Sequence, residues 1–273
     1  MKNQFDYSVL MSVYHKENSL FFEQSIQSIL SQTVKTNDFV IICDGPLTEG
    51  LDLVIQRFVS ENPGVFNIIR KDKNEGLGLA LRLGVTLCKN DIIMRMDSDD
   101  ISISRRAELE LPFMNSFDLV GSDIEEFEGA VSNSIGKRVV PKTYRGIKKL
   151  AKSRSPFNHP SVMFKKSVIL KAGNYRDCQL REDYLLWIDV LQITNKVINI
   201  PDVLVYMRSG TEMRIRRSDK KGKDSSKRIL KYQLSLHNIN FFEYIWISIK
   251  QWIFYNSPLC IKRLFYKHLL RKH

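Results

Sequence analysis

The chain has 273 residues, of which 43% are hydrophobic and 26% charged, a composition that excludes extensive disorder, collagen and a coiled coil. The formal net charge is +12, and all of the excess lies near the C-terminus: residues 1–204 contain 26 basic and 26 acidic residues, whereas residues 205–273 contain 16 and 4. The sequence therefore predicts a neutral body and a cationic C-terminal segment that is attracted to phosphate, whether in nucleic acid, anionic lipid or a phosphorylated ligand.

Over the first hundred residues, apolar runs of strand type alternate with segments of helical periodicity. Strands are predicted at Tyr7–Val13, Phe39–Cys43, Phe66–Ile69 and Ile92–Met96, and helices at Leu20–Gln32, Leu51–Val59 and Leu77–Cys88. Because these strands are apolar on both faces, the alternation favours a mainly parallel α/β sheet that is covered by helices on both sides. Ligands of such sheets bind beyond the carboxyl ends of the strands.

The pattern is less regular beyond residue 100. Strands are predicted at Phe117–Phe127, Pro160–Phe164, Val197–Ile200 and Val203–Met207, and helices at Tyr144–Lys152 and Glu182–Leu191. No internal repeat and no low-complexity segment interrupts this part of the chain.

The four cysteines lie far apart, and no pair has the C-x-x-C spacing of a zinc site. Free thiols are typical of a reducing compartment. The short apolar run Tyr7–Val13 is followed closely by His15, Lys16 and Glu17, so it lacks the length and the cleavage site of a signal peptide. We therefore expect a cytoplasmic protein.

The first four predicted strands are each followed by polar or acidic residues, which would meet at one edge of the sheet. The most acidic group, Asp97-Ser98-Asp99-Asp100, follows the strand Ile92–Met96. Three carboxylates within four residues repel one another unless a cation lies among them. Carboxylate oxygens suit Mg²⁺ or Mn²⁺, ions that keep open positions for substrate phosphates. The sequence therefore predicts a divalent metal site at this strand end.

Two further loops at this edge have more than one interpretation. Asp44 follows the second strand and either forms a turn with Gly45 and Pro46 or accepts a hydrogen bond from an N–H group of a base such as uracil. Gly76 and Gly78 open a helix, where a ligand can approach the backbone and the helix N-terminus favours phosphate or ribose. The two glycines also resemble part of a dinucleotide-binding fingerprint, but its third glycine is absent.

Glu182 and Asp183 begin the amphipathic helix Glu182–Leu191. Acidic residues in a first turn complement the helix dipole, and this structural role is common. The alternative is that one carboxylate reaches into the site as a general base. The spacing does not choose between these roles.

Several short motifs follow one another in a specific order: Ser8–Tyr14, Ser25–Thr33, Asp44-Gly45, Asn74-x-Gly76-x-x-x-Ala80, Asp97–Asp100, His159–Phe164, Gly173-x-Tyr175, Glu182-Asp183-x-x-Leu186-Trp187 and Leu204-x-Tyr206. Together they resemble the family 2 inverting glycosyltransferases over residues 7–217. The segments Phe39–Pro46 and Met213–Arg217 are most similar to enzymes of amylovoran and O-antigen biosynthesis. The chain departs from the family at Cys43, Arg82 and Asp189, and none of these changes removes the metal site or the base.

The resemblance implies the GT-A fold, a Rossmann-like α/β architecture, for residues 1–217, and it implies roles for individual residues. The predicted nucleotide-binding residues are Val13, Tyr14, Glu17, Asp44, Gly76 and Asp97, with Asp44 on the base. Asp99 and Asp97 would hold Mn²⁺ or Mg²⁺ on the diphosphate, and Asp183 would be the catalytic base. The predicted residues for the diphosphate or the acceptor are His159, Glu182, Arg208, Arg216 and Arg217.

The implied reaction moves a hexose, glucose or galactose, from a UDP-sugar to GlcNAc- or GalNAc-diphosphoundecaprenol with a β-1,3 linkage, in O-antigen or exopolysaccharide synthesis. Two alternatives come from other classes. A sugar-nucleotide nucleotidyltransferase needs a glycine-rich basic loop after the first strand, and residues 14–18 do not form one. A non-catalytic phosphate-binding module would leave the acidic strand ends without a purpose.

Residues 218–273 form the predicted C-terminal segment, and nine aromatic residues lie between Phe241 and Tyr266 with Lys and Arg interleaved. A transmembrane helix is disfavoured because Glu243, Lys250 and Pro258 interrupt the apolar run. Core helices are one alternative, and RNA binding is disfavoured because no RNA-binding motif is present. We predict interfacial helices on the anionic cytoplasmic face of the inner membrane, where a polyprenyl-diphosphate acceptor would lie, and no nucleic-acid partner.

Overall fold

The computed structural model describes residues 6–209 and 220–257, which contain one nine-stranded sheet flanked by helices. The strands are β1 (Tyr7–Val13), β2 (Asp38–Cys43), β3 (Phe66–Arg70), β4 (Ile92–Arg95), β5 (Ile101–Ser102), β6 (Leu119–Phe127), β7 (Ser134–Arg138), β8 (Met163–Lys165) and β9 (Val197–Arg208). The helices are α1 (Ser19–Leu30), α2 (Glu49–Glu61), α3 (Leu77–Leu87), α4 (Arg106–Glu110), α5 (Tyr144–Ala151), α6 (Lys166–Lys171), α7 (Glu182–Ile193), α8 (Lys220–Ser235) and α9 (Phe241–Asn256). Short 3-10 helices lie at Leu111–Asn115 and His159–Ser161.

The sheet is mixed and has the order β3-β2-β1-β4-β8-β6-β9-β5, with β7 paired to β6. Strands β1 to β4 are parallel, as the alternation of strands and helices predicts, and β6 is parallel to β9. The short strands β5, β7 and β8 pair antiparallel with their neighbours. The α/β fold with a parallel β1–β4 half is therefore confirmed, and it brings the carboxyl ends of β1, β2 and β4 to one edge.

Alternating residues of the central strands pack into two hydrophobic clusters, one on each face of the sheet. Val9 and Met11 of β1 join residues of α1 and α2 on one face. Leu10, between them, joins residues of α3 and α7 on the other. The sheet is thus buried between two helical layers, and its polar carboxyl edge is the part that remains accessible to a ligand.

The structure differs from the sequence prediction at two prolines. Residues 159–161 form a 3-10 helix where a strand was predicted, because Pro160 has no N–H to donate to a sheet, and the strand β8 begins only at Met163. The two strands predicted on either side of Pro201 are one strand, β9, because its register against β6 shifts near Ser122 and Asp123 and accommodates the proline.

The described C-terminal helices pack against the body. Helix α8 shares a buried cluster with α7, to which it contributes Ile229, and the Tyr232 hydroxyl donates to Asp189 of α7 at 2.8 Å. Helix α9 packs on α8 through Ile247. None of the described helices has the length and hydrophobicity needed to cross a bilayer. The predicted boundary at residues 217/218 lies outside the described residues and stays a prediction.

A buried arginine joins α4 to the end of β4. The guanidinium of Arg106 donates to Glu110 at 3.0 Å, to the carbonyls of Arg95 at 3.0 Å and Pro160 at 2.9 Å, and to Val162 O at 3.1 Å. Both side chains of the Arg106–Glu110 pair are fully buried. Burial raises the pKa of Glu110 to about 7, and the charge of Arg106 opposes that rise. The pair therefore supports the segment that leads into the acidic loop.

We expect Arg106→Met to lower the free energy of unfolding by about 3–5 kcal/mol, because it leaves the buried Glu110 carboxyl group without its partner and removes the side-chain hydrogen bonds to three backbone carbonyls. Urea unfolding followed by circular dichroism at pH 8 measures the change. The matched control is Arg105→Met, which breaks the exposed pair with Glu108 and should leave the urea midpoint nearly unchanged. Equal midpoints for the two variants would contradict this role.

Candidate active site

The predicted nucleotide-binding residues Val13 and Asp44 lie side by side at the ends of β1 and β2, where the Asp44 N–H donates to the Val13 carbonyl at 2.8 Å. The Asp44 carboxylate is 2% exposed. It accepts hydrogen bonds from Lys71 Nζ at 2.6 Å and from the backbone N–H groups of Glu75 at 3.0 Å and Gly76 at 2.8 Å. Asp44 therefore organises the loop that leads into α3, a structural role in addition to its predicted contact with the base.

Gly76 is the residue before α3 and has φ 95° and ψ 158°, a conformation that residues with a Cβ rarely adopt. Among the described residues, its two chain neighbours apart, no atom lies within 4 Å of the position that a Cβ would occupy there. There is therefore open space beside Gly76 at the N-terminus of α3, where ribose or phosphate could approach, although the Gly76 N–H itself donates to Asp44.

Tyr14 and Glu17 follow β1 in the loop before α1. Glu17 reaches the acidic loop, since its carboxylate accepts from Ser98 Oγ at 2.7 Å. Tyr14 is half-buried, with its ring 5.7 Å from that of His15, and its carbonyl accepts from the Glu17 N–H at 3.0 Å. The structure thus brings Glu17 to the predicted metal site and leaves Tyr14 at the β1 end of the same edge.

Asp97, Asp99 and Asp100 form a compact acidic cluster in which one oxygen of each carboxylate lies within 4.8 Å of the others. Burial and the charges of Asp97 and Glu17 raise the pKa of Asp99 to about 7. Burial and the charges of Asp99 and Asp97 also hold the pKa of Asp100 well above its ordinary value. Such crowding is unfavourable without a cation.

The residues of this acidic cluster fit a divalent metal ion. Asp100 Oδ2 is buried and has no hydrogen-bond partner among the described residues, so it is free to accept a ligand. Three carboxylates supply the hard oxygen ligands that Mg²⁺ and Mn²⁺ prefer. The predicted metal residues Asp97 and Asp99 are therefore placed together, and Asp100 joins them.

Two arginines neutralise part of this negative charge. Arg95 of β4 is 1% exposed and donates to the Asp97 carboxylate. Arg208, at the end of β9, donates from its backbone to Asp100 Oδ1 at 2.8 Å and from its guanidinium to the Asp99 carbonyl at 3.1 Å. Its guanidinium also lies 3.7 Å from the ring centre of Phe21. Arg208 was predicted to contact the diphosphate or the acceptor, and the structure places it beside the acidic cluster.

The predicted base Asp183 lies in the first turn of α7 and is partly exposed. Its Oδ2 accepts a hydrogen bond from Ser155 Oγ at 3.0 Å. Its neighbour Glu182 is 9% exposed and packs against α3, where a Cβ on Gly78 would lie 3.0 Å from the Glu182 Cβ. The first turns of α3 and α7 are therefore in contact, which places the predicted base next to the predicted nucleotide loop.

Tyr175 lies within electrostatic reach of both Asp97 and Asp183. Its hydroxyl is fully buried and lies 2.8 Å from Nε2 of the half-buried His159. Burial raises the pKa of the Tyr175 phenol, and the charges of Arg95, Asp183, Glu182 and Asp97 also act on it. The hydrogen bond to Tyr175 anchors His159 near these charged residues.

Sequence reasoning did not select Arg95, Ser155 or Tyr175 as site residues. Arg95 carried a signal because it is a charged residue in an otherwise apolar strand, and Tyr175 carried one as part of the motif Gly173-x-Tyr175. Ser155 and Tyr175 owe their position to contacts between distant parts of the chain. The predicted Arg216 and Arg217 lie outside the described residues.

A family model described as glycosyl transferase family 2 matches residues 8–170, more than half of the chain. The chain belongs to this family. It is therefore a glycosyltransferase, and the alternatives of a nucleotidyltransferase and a non-catalytic phosphate-binding module are rejected.

Two curated relatives agree in type with the resemblance to amylovoran and O-antigen enzymes. A UDP-Gal:alpha-D-GlcNAc-diphosphoundecaprenol beta-1,3-galactosyltransferase from Escherichia coli is 36% identical, over 97% of this chain and 97% of that protein. The amylovoran biosynthesis glycosyltransferase AmsE of Erwinia amylovora is 35% identical, over 76% of this chain and 77% of AmsE. Family members with these names act in polysaccharide synthesis, and so we assign this chain to that process.

The fold is that of GT-A glycosyltransferases. The mannosyltransferase PcManGT from Pyrobaculum calidifontis, solved with GDP-Man and Mn²⁺, superposes with a TM-score of 0.61 at 14% identity, over 97% of this chain and 79% of PcManGT. At this identity the likeness shows the fold, which confirms the architecture expected for the body.

Metal binding should depend on pH, because Mn²⁺ must displace the proton that Asp99 holds below its pKa of about 7. We expect the Kd for Mn²⁺, measured by calorimetry, to rise as the pH falls below 7, by roughly tenfold per pH unit for each proton that the ion displaces from Asp99 and Asp100.

Asp99→Asn should abolish this binding, whereas Asp183→Asn should leave both the affinity and its pH dependence unchanged. A Kd for Mn²⁺ that is constant between pH 6 and 8 would contradict the predicted role of Asp99.

Proposed function

We propose that this protein is an inverting hexosyltransferase that moves glucose or galactose from a UDP-sugar to GlcNAc- or GalNAc-diphosphoundecaprenol with a β-1,3 linkage, in O-antigen or exopolysaccharide assembly. The observation that carries the proposal is that the acidic cluster and Asp183 both lie near the buried Tyr175. The relative that is 36% identical along almost its whole length, and that is named for a diphosphoundecaprenol-linked acceptor, supports the acceptor type.

In the proposed complex, the donor nucleotide lies along the carboxyl edge of β1 and β2. The open backbone at Gly76 and the N-terminus of α3 favour its ribose or phosphate groups. The uracil base is lined by Tyr14, Val13 and Asp44. Asp44 keeps its loop in place through Lys71 and the Gly76 N–H, so its removal would disturb the pocket even where it does not touch uracil.

Asp97, Asp99 and Asp100 would hold the divalent ion. When bound, such an ion neutralises the charge that develops on the β-phosphate of UDP as the sugar departs. Arg95 and Arg208 keep the carboxylates together by offsetting part of their repulsion. The acidic cluster therefore remains assembled before the donor arrives.

Asp183 is the proposed general base for the acceptor. Its carboxylate takes the proton from the acceptor hydroxyl as the oxygen attacks the anomeric carbon, and UDP leaves from the opposite face with the bonding electron pair. One displacement inverts the anomeric centre, so a UDP-α-sugar yields a β-linkage. The Ser155 hydroxyl holds one carboxylate oxygen at 3.0 Å and leaves the other available for the proton.

We also propose that the segment from Asn240 onward holds the enzyme on an anionic membrane surface. The outward side of α9 supports this, because its large apolar residues are exposed: Phe241 63%, Phe242 83%, Trp246 59%, Ile249 45% and Trp252 65%. Large exposed apolar patches are uncommon on proteins that do not associate with another surface. The basic residues from Lys262 onward lie outside the described residues.

Asp183→Asn should reduce kcat by at least about 100-fold, the lower range for loss of a general base, while the affinity for UDP stays within about twofold. Asn keeps the shape and can still accept from Ser155, but it cannot take the proton. Radiolabelled UDP-glucose and UDP-galactose with lipid-linked GlcNAc or GalNAc measure turnover, and calorimetry measures UDP binding.

Ser155→Ala is the companion variant and should lower kcat less than Asp183→Asn does, because it removes only the group that orients the base. If UDP affinity collapses with turnover in Asp183→Asn, Asp183 is a nucleotide ligand or a structural residue and the base lies elsewhere. If wild-type enzyme transfers neither sugar to either acceptor, the substrates are wrongly assigned.

A chain that ends at Ile239 should remain folded, use a water-soluble acceptor analogue and lose binding to anionic liposomes in a flotation assay. Its fold should survive because α9 contributes only a small buried cluster, through Ile247. Salt should weaken binding of the full chain in part, since basic residues contribute about 1 kcal/mol each near an anionic surface.

The matched full-length control is Trp252→Ser, which removes an exposed apolar side chain and should weaken flotation without changing the circular dichroism spectrum. The core-helix interpretation predicts the reverse, namely an aggregating truncated chain and a full-length protein that does not float with liposomes.

A further inference from the structure

A groove of about 590 Å³ lies between α5 and α9, away from the residues assigned to the donor. One wall is cationic and consists of Arg145, Lys148, Lys149 and Lys152. The opposite wall is apolar and is formed by Trp246 and Ile247 of α9. The two walls together would suit a ligand with an anionic head and an apolar tail.

The charges of this groove are largely uncompensated. Lys152 pairs with Glu243 at 2.6 Å, a contact that joins the two walls. Arg145, Lys148 and Lys149 are exposed, and within the described part of the chain they form no salt bridge. Lys and Arg side chains that line a groove are strong ligands for phosphate oxygens. The exposed Arg145 and Lys149, together with Lys148, whose Nζ lies 6.0 Å from the ring centre of Tyr144, thus line the groove opposite an apolar wall.

The end of α5 and the segment that follows it are connected to the first turn of α7 by two hydrogen bonds. The last residue of α5, Ala151, accepts from the hydroxyl of Tyr184, the residue after Asp183, at 2.7 Å. Ser153 lines the groove, and Ser155, whose Oγ donates to Asp183, is two residues further along. Two residues span at most about 7 Å. A ligand head in the groove would therefore lie close to the group that deprotonates the acceptor.

The apolar wall continues into the exposed side of α9. Trp246 is 59% exposed at the groove, and Ile249 and Trp252 extend the same side of the helix. A Trp ring offers a large flat surface to an isoprene chain, and burial of apolar area stabilises the contact at about 25 cal/mol per Å². This side would carry a long apolar tail from the groove toward the membrane surface.

We infer that the groove between α5 and α9 binds the diphosphate and the first isoprene units of the lipid-linked acceptor. The inference rests on the proposed function and names the binding site of its acceptor. The cations of α5 bind the diphosphate, and Trp246 contacts the isoprenoid. The sugar attached to the diphosphate then reaches Asp183. A second copy of this chain is the weaker choice of occupant, because it would bring the same free cations together.

The direct test uses farnesyl diphosphate as a soluble probe, with the full chain and without divalent ions so that the donor site does not contribute. We expect calorimetry to show binding by the wild type and a loss of at least tenfold in affinity in the Lys148→Glu/Lys149→Glu double variant. Trp246→Ala should lower the affinity for farnesyl diphosphate but leave the affinity for inorganic diphosphate unchanged. Lys171→Glu, an exposed lysine on α6 outside the groove, is the control and should bind as the wild type does.

Kinetics separate this inference from the proposed function. In the double variant the KM for the lipid-linked acceptor should rise at least tenfold, whereas kcat and the KM for the UDP-sugar should stay within twofold. An unchanged acceptor KM together with unchanged farnesyl diphosphate binding would overturn the inference and leave the proposed function intact. A different outcome would refute the proposed function and still support a diphosphate site in the groove. In that outcome the wild type uses no lipid-diphosphate-linked sugar, and the double variant still loses binding of farnesyl diphosphate.

Liposome flotation distinguishes an acceptor site from a general lipid contact. If the double variant loses binding to phosphatidylglycerol vesicles but keeps its affinity for farnesyl diphosphate, the groove contacts lipid headgroups and the inference is wrong. Circular dichroism of each variant checks the fold, which should be unchanged because all the substituted side chains are exposed. Dimerisation of the wild type that Trp246→Ala abolishes would likewise overturn the inference, because it would show that the groove is a subunit interface.

Discussion

Repulsion among three carboxylates at the end of β4 is the constraint around which this edge of the sheet is built. One oxygen of each of Asp97, Asp99 and Asp100 lies within 4.8 Å of the others. Arg95 supports the group from within the sheet, and Arg208 holds two of its members from the side. Arg106 in turn binds the carbonyl of Arg95, so two buried cations and the end of β9 converge on one short loop. Without them, the carboxylates would repel one another more strongly, and the pKa values of Asp99 and Asp100 would rise further.

Much of the parallel half of the fold was predictable, because apolar strands and periodic helices alternate with few exceptions over residues 7–96. The acidic cluster was predictable for the same reason, since a parallel strand presents its carboxyl end at a known edge. Pro201 misled the prediction, because the strand pairing absorbs it with a register shift that no local pattern reveals. Elements such as α6 and β7 were missed, being short and dependent on their neighbours.

The contacts that complete the site were less predictable. Ser155 and Asp183 are separated by 28 residues, and only tertiary packing brings the hydroxyl to the carboxylate. Tyr175 is likewise defined by its buried neighbours. For Asp44, the position at the edge of the sheet was predicted correctly. Its hydrogen-bond partners were not predicted: the carboxylate accepts from two backbone N–H groups and from Lys71. A sequence shows which polar groups are available, but it does not show which hydrogen-bond partners they have in the folded chain.

The contact between Gly78 and Glu182 has a consequence for how two substrates can share one site. A Cβ at position 78 would lie 3.0 Å from the Glu182 Cβ, tighter than an ordinary van der Waals contact, so the glycine allows the first turns of α3 and α7 to lie close together. In the proposed complex, a larger residue at position 78 would move the helix that carries Asp183 away from the nucleotide loop. The spacing between the two proposed substrates therefore depends in part on the packing of two helices, outside the residues that take part in the chemistry.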